Sequence, residues 1–224
     1  MEKIRRNLLK ERNDINMKNT VICIGRQYGS GGFKIAKMLS EKLGIPFYDK
    51  ELVELAAKKG NLHDETVKRI DEKAANSFLY SIVTGNYSLG NAGGPLYYDI
   101  PINDKLFLAQ SEVIKEIAQE GSCVILGRCA DYVLAEEDVN CLSVYIYAGL
   151  DARIEAVMEK DGLTRSKAKD KIVKAEKQRR AYYDYYTNRE WGKMSNYDLC
   201  IDADVFGEEK TVDIIAQIAK GYME

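Results

Sequence analysis

Residues 21–39 read VICIGRQYGSGGFKIAKML and contain an apolar strand, a glycine-rich turn and an amphipathic helix, in that order. The run at 21–24 predicts a buried strand, and apolar residues recur at helical spacing from Phe33 onward. In the turn, Gly29, Gly31 and Gly32 lack a β-carbon, so their N–H groups can turn toward a bound anion. The positive end of the helix dipole lies at the same point. This layout is typical of a phosphate-binding loop.

The turn is close to the Walker A pattern G-x-x-x-x-G-K-[ST] but does not match it. When its GSG is superposed on that of a GSGKGT loop, Gly32 takes the position of the lysine that clamps the phosphates. Phe33 and Lys34 follow where a Mg²⁺-binding hydroxyl is expected. Another cation must then reach the phosphates, and Arg26, Lys34 or a later arginine are the candidates. A second interpretation is that these glycines only let a helix pack closely on a sheet.

The composition is that of an ordinary globular protein. The chain has 224 residues, 30% of them charged, and a net charge of −2, so one domain with a small insertion or lid is expected and bulk attraction to nucleic acid is not. No apolar run approaches the roughly 20 residues that span a bilayer. The N-terminus is charged throughout and lacks the apolar stretch of a signal peptide. We expect a soluble, cytoplasmic protein in which residues 1–18 form a peripheral extension.

The cysteines and the single histidine argue against two classes of site. The five cysteines lie in or beside apolar runs, with no C-x-x-C pair and no histidine nearby, which does not favour a zinc site. His63 lies at a predicted helix start, where helix capping or surface placement is its expected role. A Ser-His-Asp hydrolase is therefore not expected.

Strands and helices alternate along the chain. Strands are predicted at 45–49, 122–127, 141–149 and 197–203, and helices fill most of the intervening segments. Residues 81–102 contain four glycines and two prolines and are interpreted as a loop. This repeated order predicts an α/β fold with a parallel sheet covered by helices on both faces.

A basic helix is predicted near residues 164–190. Between Arg165 and Arg180 there are eight Lys or Arg residues against two acidic ones. Arg179, Arg180, Tyr182, Tyr183 and Arg189 then cluster ahead of Trp191. Arginine forks and aromatic rings suit the phosphates and base of a nucleotide. The alternative is a solvated helix face whose tyrosines pack partly on the sheet.

Four motifs resemble the cytidylate kinase-like family, a branch of the P-loop nucleoside monophosphate kinases. They are GRQYGSGGFKIA at 25–36, LGIPFYDKEL at 43–52, VILGRCADYVL at 124–134, and KQRRAYYDYYT at 177–187 followed by Trp191 and YDLCID at 197–202. The similarity runs from about Thr20 to the C-terminus. It implies a three-layer P-loop kinase fold with a central five-stranded parallel sheet in a single domain, residues 19–224. It also implies an acceptor-binding insertion at about 60–105 and an arginine-bearing lid at about 160–190.

The resemblance also implies roles for individual residues. The ATP phosphates would be held by Gly29, Ser30, Gly31, Gly32, Phe33 and Lys34, with Ser30 as the candidate Mg²⁺ ligand. The acceptor would contact Asp49, Arg128, Asp131, Tyr182 and Tyr183. The catalytic cations would be Arg26, Arg179, Arg180 and Arg189.

These features lead to a functional expectation with one alternative. We expect phosphoryl transfer from ATP, with Mg²⁺, to a small acceptor such as CMP, with no nucleic acid polymer or membrane as partner. The segment DKELVEL at 49–55 replaces the DTGAMYR-like segment of cytidylate kinases, so the acceptor stays open. Because the loop lysine is absent, a nucleotide-binding or regulatory protein with weak or no turnover is the alternative. The sequence does not discriminate oligomeric states, and a homo-oligomer remains open.

Overall fold

The computed structural model describes residues 19–60 and 102–223. The strands are β1 (Thr20–Arg26), β2 (Phe47–Tyr48), β3 (Cys123–Leu126), β4 (Asn140–Tyr147) and β5 (Leu199–Asp202). The helices are α1 (Gly32–Leu43), α2 (Glu51–Lys59), α3 (Ile102–Glu120), α4 (Ala130–Val133), α5 (Leu150–Asp161), α6 (Arg165–Thr187), α7 (Ala203–Phe206) and α8 (Glu208–Met223). A short 3₁₀ helix, Met194–Asn196, precedes β5.

The five strands form one parallel sheet in the order β2-β3-β1-β4-β5. Strand β1 lies at the centre, with Val21 opposite Cys123 on β3 and Cys141 on β4. The carboxyl ends of all strands meet at one edge, as in open α/β sheets generally. The loop after β1 therefore lies beside the segments that follow β3 and β4, and these segments form the candidate site.

Both faces of the sheet are covered by helices. Side chains alternate along a strand, so Val21 and Cys23 pack against α2 and α3, while Ile22 and Ile24 pack against α1 and α8. All four residues are at most 3% exposed, which explains why β1 reads as an unbroken apolar run. The predicted three-layer α/β architecture is confirmed.

The predicted lid region corresponds to the end of α5 and to α6. These helices pack through Ile154 and Val157 on α5 and Ala168 and Ile172 on α6. Farther along α6, Tyr183 joins Trp191 and Tyr145 in an aromatic cluster above β4. The predicted insertion falls mostly on residues 61–101, which lie outside the described residues, as do the extension before residue 19 and His63. The proposed boundaries of insertion and lid therefore stay predictions.

Two local differences from the sequence prediction occur near the C-terminus. The last strand is shorter than predicted, because Asp202 ends β5 and accepts a hydrogen bond at 3.0 Å from the N–H of Asp204, capping the short helix α7. Helix α6 ends at Thr187, and its C-cap residue Asn188 has a left-handed φ of 51°, so the basic helix does not continue to residue 190.

Candidate active site

The glycine-rich turn connects the end of β1 to the start of α1. Gly29 and Gly31 have φ values of 84° and 76°, a left-handed conformation that glycine adopts at little energetic cost. A β-carbon at Gly29 would also lie 2.9 Å from the carbonyl oxygen of Arg153. Gly31 is the N-cap of α1, and no side chain caps that end of the helix. The first-turn N–H groups are thus left without a side-chain acceptor, as an anion site requires.

Three further residues of the predicted loop have defined contacts. The Ser30 hydroxyl is buried and lies 3.0 Å from the carbonyl of Gln27 and 3.3 Å from that of Ile146, so it ties the loop to β4. Lys34 forms an ion pair with Glu208 at the start of α8. Phe33 is 54% exposed and meets Phe47 edge to face. The role of Ser30 as a Mg²⁺ ligand stays a prediction.

A cavity of about 500 Å³, the loop cavity, lies over the glycine-rich turn. The residues predicted from sequence that line it are Arg26, Gly29, Gly31, Gly32, Phe33, Lys34, Asp49 and Arg179. Sequence reasoning missed Gln27, Tyr28, Lys160 and Glu208, which also line it. Lys160 and Glu208 are far from the loop in sequence and carry no motif, so no local signal could have identified them.

A second cavity of about 340 Å³, the aromatic cavity, adjoins the first. The two cavities share Arg26, Tyr28 and Arg179 in their walls. Of the predicted acceptor residues, Arg128, Asp131, Tyr182 and Tyr183 line the aromatic cavity, and Asp49 lines the loop cavity instead. Trp191 and Tyr197 complete its aromatic wall.

Arg26 and Arg179 meet where the two cavities join. An Nη of Arg179 donates a hydrogen bond of 2.9 Å to the carbonyl of Arg26, and its guanidinium lies 5.4 Å from the centre of the Tyr28 ring. Burial, followed by repulsion from Arg179 and Arg128, lowers the pKa of Arg26 to about 9. Burial also lowers the pKa of Arg179. Within residues 19–60 and 102–223, neither arginine forms an ion pair with a carboxylate. Positive charge is therefore in excess at this point, and an anion there would stabilise it.

The turn after β3 holds Arg128 in an unusual conformation. Gly127, Arg128 and Cys129 are consecutive left-handed residues with φ values of 74°, 59° and 56°. This conformation costs roughly 1–2 kcal/mol for each residue that carries a β-carbon. The turn is fixed by a 3.0 Å hydrogen bond from the N–H of Gly127 to the carbonyl of Ile24. Strain of this kind is typical of binding sites, and here it accompanies an arginine in a cavity wall.

Asp131 lies in the first turn of α4 and connects it to α6. Its carboxylate accepts a hydrogen bond of 2.6 Å from the hydroxyl of Tyr183. Burial raises the pKa of Asp131, while the Tyr183 hydroxyl and main-chain N–H donors act in the opposite direction. Tyr182 is hydrogen-bonded at 3.3 Å to the side-chain oxygen of Gln110 on α3. These contacts fix the aromatic wall against the rest of the fold.

The structure does not bring Arg180 or Arg189 to the loop cavity. Neighbouring helical residues point about 100° apart, so Arg180 leaves α6 in another direction from Arg179. Its guanidinium lies 5.8 Å from the centre of the Trp191 ring and 3.6 Å from Glu190. It lines a third cavity of about 590 Å³, which shares Gln27 with the loop cavity and Trp191 with the aromatic cavity. Arg189 lies over the Tyr132 ring at 5.1 Å. Of the three predicted lid arginines, Arg179 is the one that lines the loop and aromatic cavities.

Arg153 is a buried arginine that sequence reasoning missed. It is 6% exposed and donates hydrogen bonds to the carbonyls of Ala148 at 3.0 Å and Tyr28 at 3.4 Å. It also forms an ion pair of 2.5 Å with Glu176 on α6, one turn before Arg179. Arg153 thus links the end of β4, the glycine-rich turn and the basic helix. In the sequence Arg153 is one charged residue among six on α5, so its burial has no visible signal.

The part of the chain that the structure describes offers no preformed metal cluster and no membrane span. No group of three or more His, Cys, Asp or Glu side chains there is placed to hold a metal ion. Asp49 and Glu208 are the carboxylates lining the loop cavity, and Glu208 is already paired with Lys34. None of the described helices has the length and apolar character needed to cross a bilayer.

Comparison with known sequences gives a consistent family. The sequence profile of the cytidylate kinase-like family matches residues 21–205. The cytidylate kinase of Methanococcus vannielii is 25% identical over 201 residues, covering 89% of this chain and 99% of that protein. The cytidylate kinase of Methanopyrus kandleri is 29% identical over 108 residues, covering 45% of this chain and 56% of that protein. The aligned segment thus spans a little over half the length of the Methanopyrus kandleri protein.

Solved structures agree on the fold. A crystal structure of an uncharacterized protein from Eubacterium ventriosum superposes with a TM-score of 0.64 at 27% identity, covering 90% of this chain and 98% of that chain. The shikimate kinase of Bacteroides thetaiotaomicron has a TM-score of 0.50 at 13% identity, with 90% of this chain and 98% of that chain covered. At this identity the second comparison bears on the fold alone, which is that of P-loop kinases.

Proposed function

This chain belongs to the cytidylate kinase-like family, and we propose that it transfers the γ-phosphoryl group of Mg²⁺-ATP to a small acceptor, in the first instance a nucleoside monophosphate such as CMP. The observation that carries this proposal is the pair of adjoining cavities with Arg26 and Arg179 in their common wall. The loop cavity has the glycine-rich turn for the donor phosphates. The aromatic cavity has Arg128 for the acceptor. The transferring group would lie between them.

Phosphoryl transfer requires few protein groups beyond those that line the two cavities. An acceptor oxygen attacks the γ-phosphorus, the bond from that phosphorus to the β–γ bridging oxygen breaks, and ADP leaves with the electron pair. Catalysis is mainly positioning and stabilisation of charge on the equatorial oxygens. Arg26 and Arg179 would supply that positive charge, and bound Mg²⁺ would neutralise part of the phosphate charge. Ser30 and Asp49 are the candidate residues for holding that Mg²⁺.

The charge of the aromatic cavity favours an anionic acceptor over an alcohol. Three arginines, Arg26, Arg128 and Arg179, line that cavity, and its carboxylate Asp131 is hydrogen-bonded to Tyr183. A phosphate oxygen is already ionised at neutral pH and needs no general base, whereas a hydroxyl needs one. The aromatic rings of Tyr182, Tyr183 and Trp191 offer surfaces for a nucleobase. The volume of about 340 Å³ is in the range of small-ligand sites.

The second candidate is a nucleotide-binding protein with weak or no turnover on the same scaffold. Its support is the glycine at position 32, where a Walker A loop has lysine. A coupled ADP-release assay across a panel of nucleoside monophosphates and small phosphorylated or hydroxylated acceptors separates the two. Acceptor-dependent ADP release supports the kinase. Tight binding of Mg²⁺-ATP without ADP release from any acceptor supports the alternative.

The Gly31→Val variant tests whether the glycine-rich turn binds the ATP phosphates. A β-carbon at Gly31 would lie 3.2 Å from a carboxylate oxygen of Glu208 and would require the left-handed φ of 76°. The variant should lose ATP binding while its far-UV circular dichroism stays native. Unchanged ATP affinity in a folded Gly31→Val protein would contradict phosphate binding by the turn.

A further inference from the structure

Steric hindrance explains why position 32 is a glycine. A β-carbon placed on Gly32 would lie 2.6 Å from Cβ and 3.0 Å from Cγ of Arg26. Non-bonded carbon atoms do not approach so closely, and the clash is with the root of the Arg26 side chain, which is fixed to β1 and cannot swing aside. No side chain fits at position 32 while residue 26 carries a β-carbon. A lysine at position 32 would therefore require glycine at position 26, where this chain has Arg26.

The same side chain ends beside a second glycine. Arg26 is the last residue of β1, and beyond Gly32 its side chain reaches the turn after β3, where a β-carbon on Gly127 would collide with its Nη1 atom. Gly127 also has a left-handed φ of 74°, which by itself favours glycine. The guanidinium of Arg26 thus lies beside Gly127, at the junction of the loop and aromatic cavities.

The other cations near the loop are less well placed for this role. Lys34 forms an ion pair with Glu208 and its side chain is 66% exposed. Arg180 lines the third cavity and neither the loop cavity nor the aromatic cavity. Arg179 belongs to α6, so its position depends on that helix, whereas Arg26 extends directly from the central strand. Arg26 has no hydrogen bond or ion pair from its guanidinium to any other residue in the described part of the chain.

We propose that Arg26 takes the place of the missing loop lysine and binds the β- and γ-phosphates of the nucleotide, with Gly32 as the space left for it. This assignment rests on the proposed function. On this assignment the phosphate-binding cation is kept and is supplied from position 26 instead of position 32. In a Walker A loop the cation comes from the first turn of the helix, and here it comes from the end of the preceding strand.

The affinity test compares wild type, Arg26→Ala and Lys42→Ala for Mg²⁺-ATP by titration calorimetry. Lys42 is an exposed residue at the far end of α1, paired with Asp213, so its removal controls for loss of one positive charge. Arg26→Ala should weaken ATP binding about 10- to 100-fold, the range for a hydrogen bond to a charged group. Lys42→Ala should bind within about twofold of wild type, because it is remote from the phosphates.

The steric test is a double-mutant cycle between positions 26 and 32, measured by chemical denaturation. Gly32→Ala should destabilise the wild type but be tolerated in an Arg26→Gly background, where the clashing carbon atoms are absent. The double variant Arg26→Gly/Gly32→Lys should bind Mg²⁺-ATP at least tenfold more tightly than Arg26→Gly alone, since it restores a cation at the Walker A position.

The outcomes separate this inference from the proposed function. A wild-type protein that binds no nucleoside triphosphate overturns the proposed function and this assignment with it. If wild type binds Mg²⁺-ATP and Arg26→Ala binds equally well, the proposed function survives and the assignment of Arg26 is overturned. Equal destabilisation by Gly32→Ala in both backgrounds overturns the steric exchange.

Discussion

Replacing Arg179 by Ala tests whether the face of α6 that carries Arg179 contributes to catalysis. Arg179 lies in the walls of both cavities, 2.9 Å from the Arg26 carbonyl, where it can reach the transferring phosphoryl group. Removing one such donor typically costs about 3–4 kcal/mol in the transition state, or roughly 10² to 10³ in kcat. ATP affinity should change much less, about tenfold or under, because the ground state carries less charge on the equatorial oxygens.

The stability of the Arg179→Ala variant should stay close to wild type. The substitution removes a cation–π contact with Tyr28 of about 0.5–1 kcal/mol and one hydrogen bond. It also removes a buried charge at position 179, and with it the repulsion from Arg179 that contributes to the lowered pKa of Arg26. Both effects offset part of the loss. Arg179→Lys should recover only part of the activity, since an ammonium lacks the planar pair of donors.

Arg180→Ala is the matched comparison, one residue along the same helix. Its guanidinium meets Glu190 and the Trp191 ring in another cavity, so kcat should stay within about threefold of wild type. The assay is steady-state ADP release with an active acceptor, run on both variants and on wild type. A wild-type rate for Arg179→Ala together with a hundredfold loss for Arg180→Ala would refute the assignment of the α6 faces.

Three further sets of substitutions test other parts of the site. Arg128→Gly should be about 1 kcal/mol more stable to urea than Arg128→Ala, since only glycine adopts the φ of 59° without strain, while both should lose acceptor binding; equal stability would argue against strain in this turn. Arg153→Met and Glu176→Met should each destabilise by about 3 kcal/mol, because each single change leaves the other member of a largely buried ion pair without its charged partner. The double variant should be destabilised by less than the sum of the two, and simple additivity would contradict this coupling. The pKa of Asp131 is raised in the folded state, so ionisation of its carboxylate lowers the stability of the fold. This loss of stability is complete above the folded-state pKa and is absent below the unfolded value near 3.8. Asp131→Asn should therefore be at least as stable as wild type at pH 7, with the difference shrinking toward pH 4, and a less stable variant at pH 7 would show that the carboxylate itself stabilises the fold.

Much of the fold was accessible from the sequence because its signals are local. The unbroken apolar runs of β1 and β3 reflect burial on both faces, and the alternation of strands with helices predicts the parallel sheet. The strand order was not predicted, because it depends on contacts between segments 100 or more residues apart, such as Val21 with Cys123 and Cys141. Helix α7 was missed for a different reason, because four residues are too few to show a helical period.

The candidate site was predictable at the level of motifs and much less so for individual side chains. The glycine pattern located the turn, since left-handed residues at Gly29 and Gly31 need glycine. The sequence could not distinguish Arg179 from Arg180, because the direction each takes from α6 depends on how that helix packs. Nor could it explain Gly32, since the side chain that fills its space comes from another element.

The most direct test of the central claim is the affinity of a ligand that bridges both cavities. Such a ligand joins adenosine through a polyphosphate chain to the nucleoside of whichever monophosphate supports ADP release, with cytidine as the first choice. If the two cavities hold donor and acceptor side by side, the bridged ligand should bind about 10² to 10⁴ times more tightly than ATP, because the second contact becomes intramolecular. A bridged ligand that binds no more tightly than ATP would contradict adjoining donor and acceptor sites.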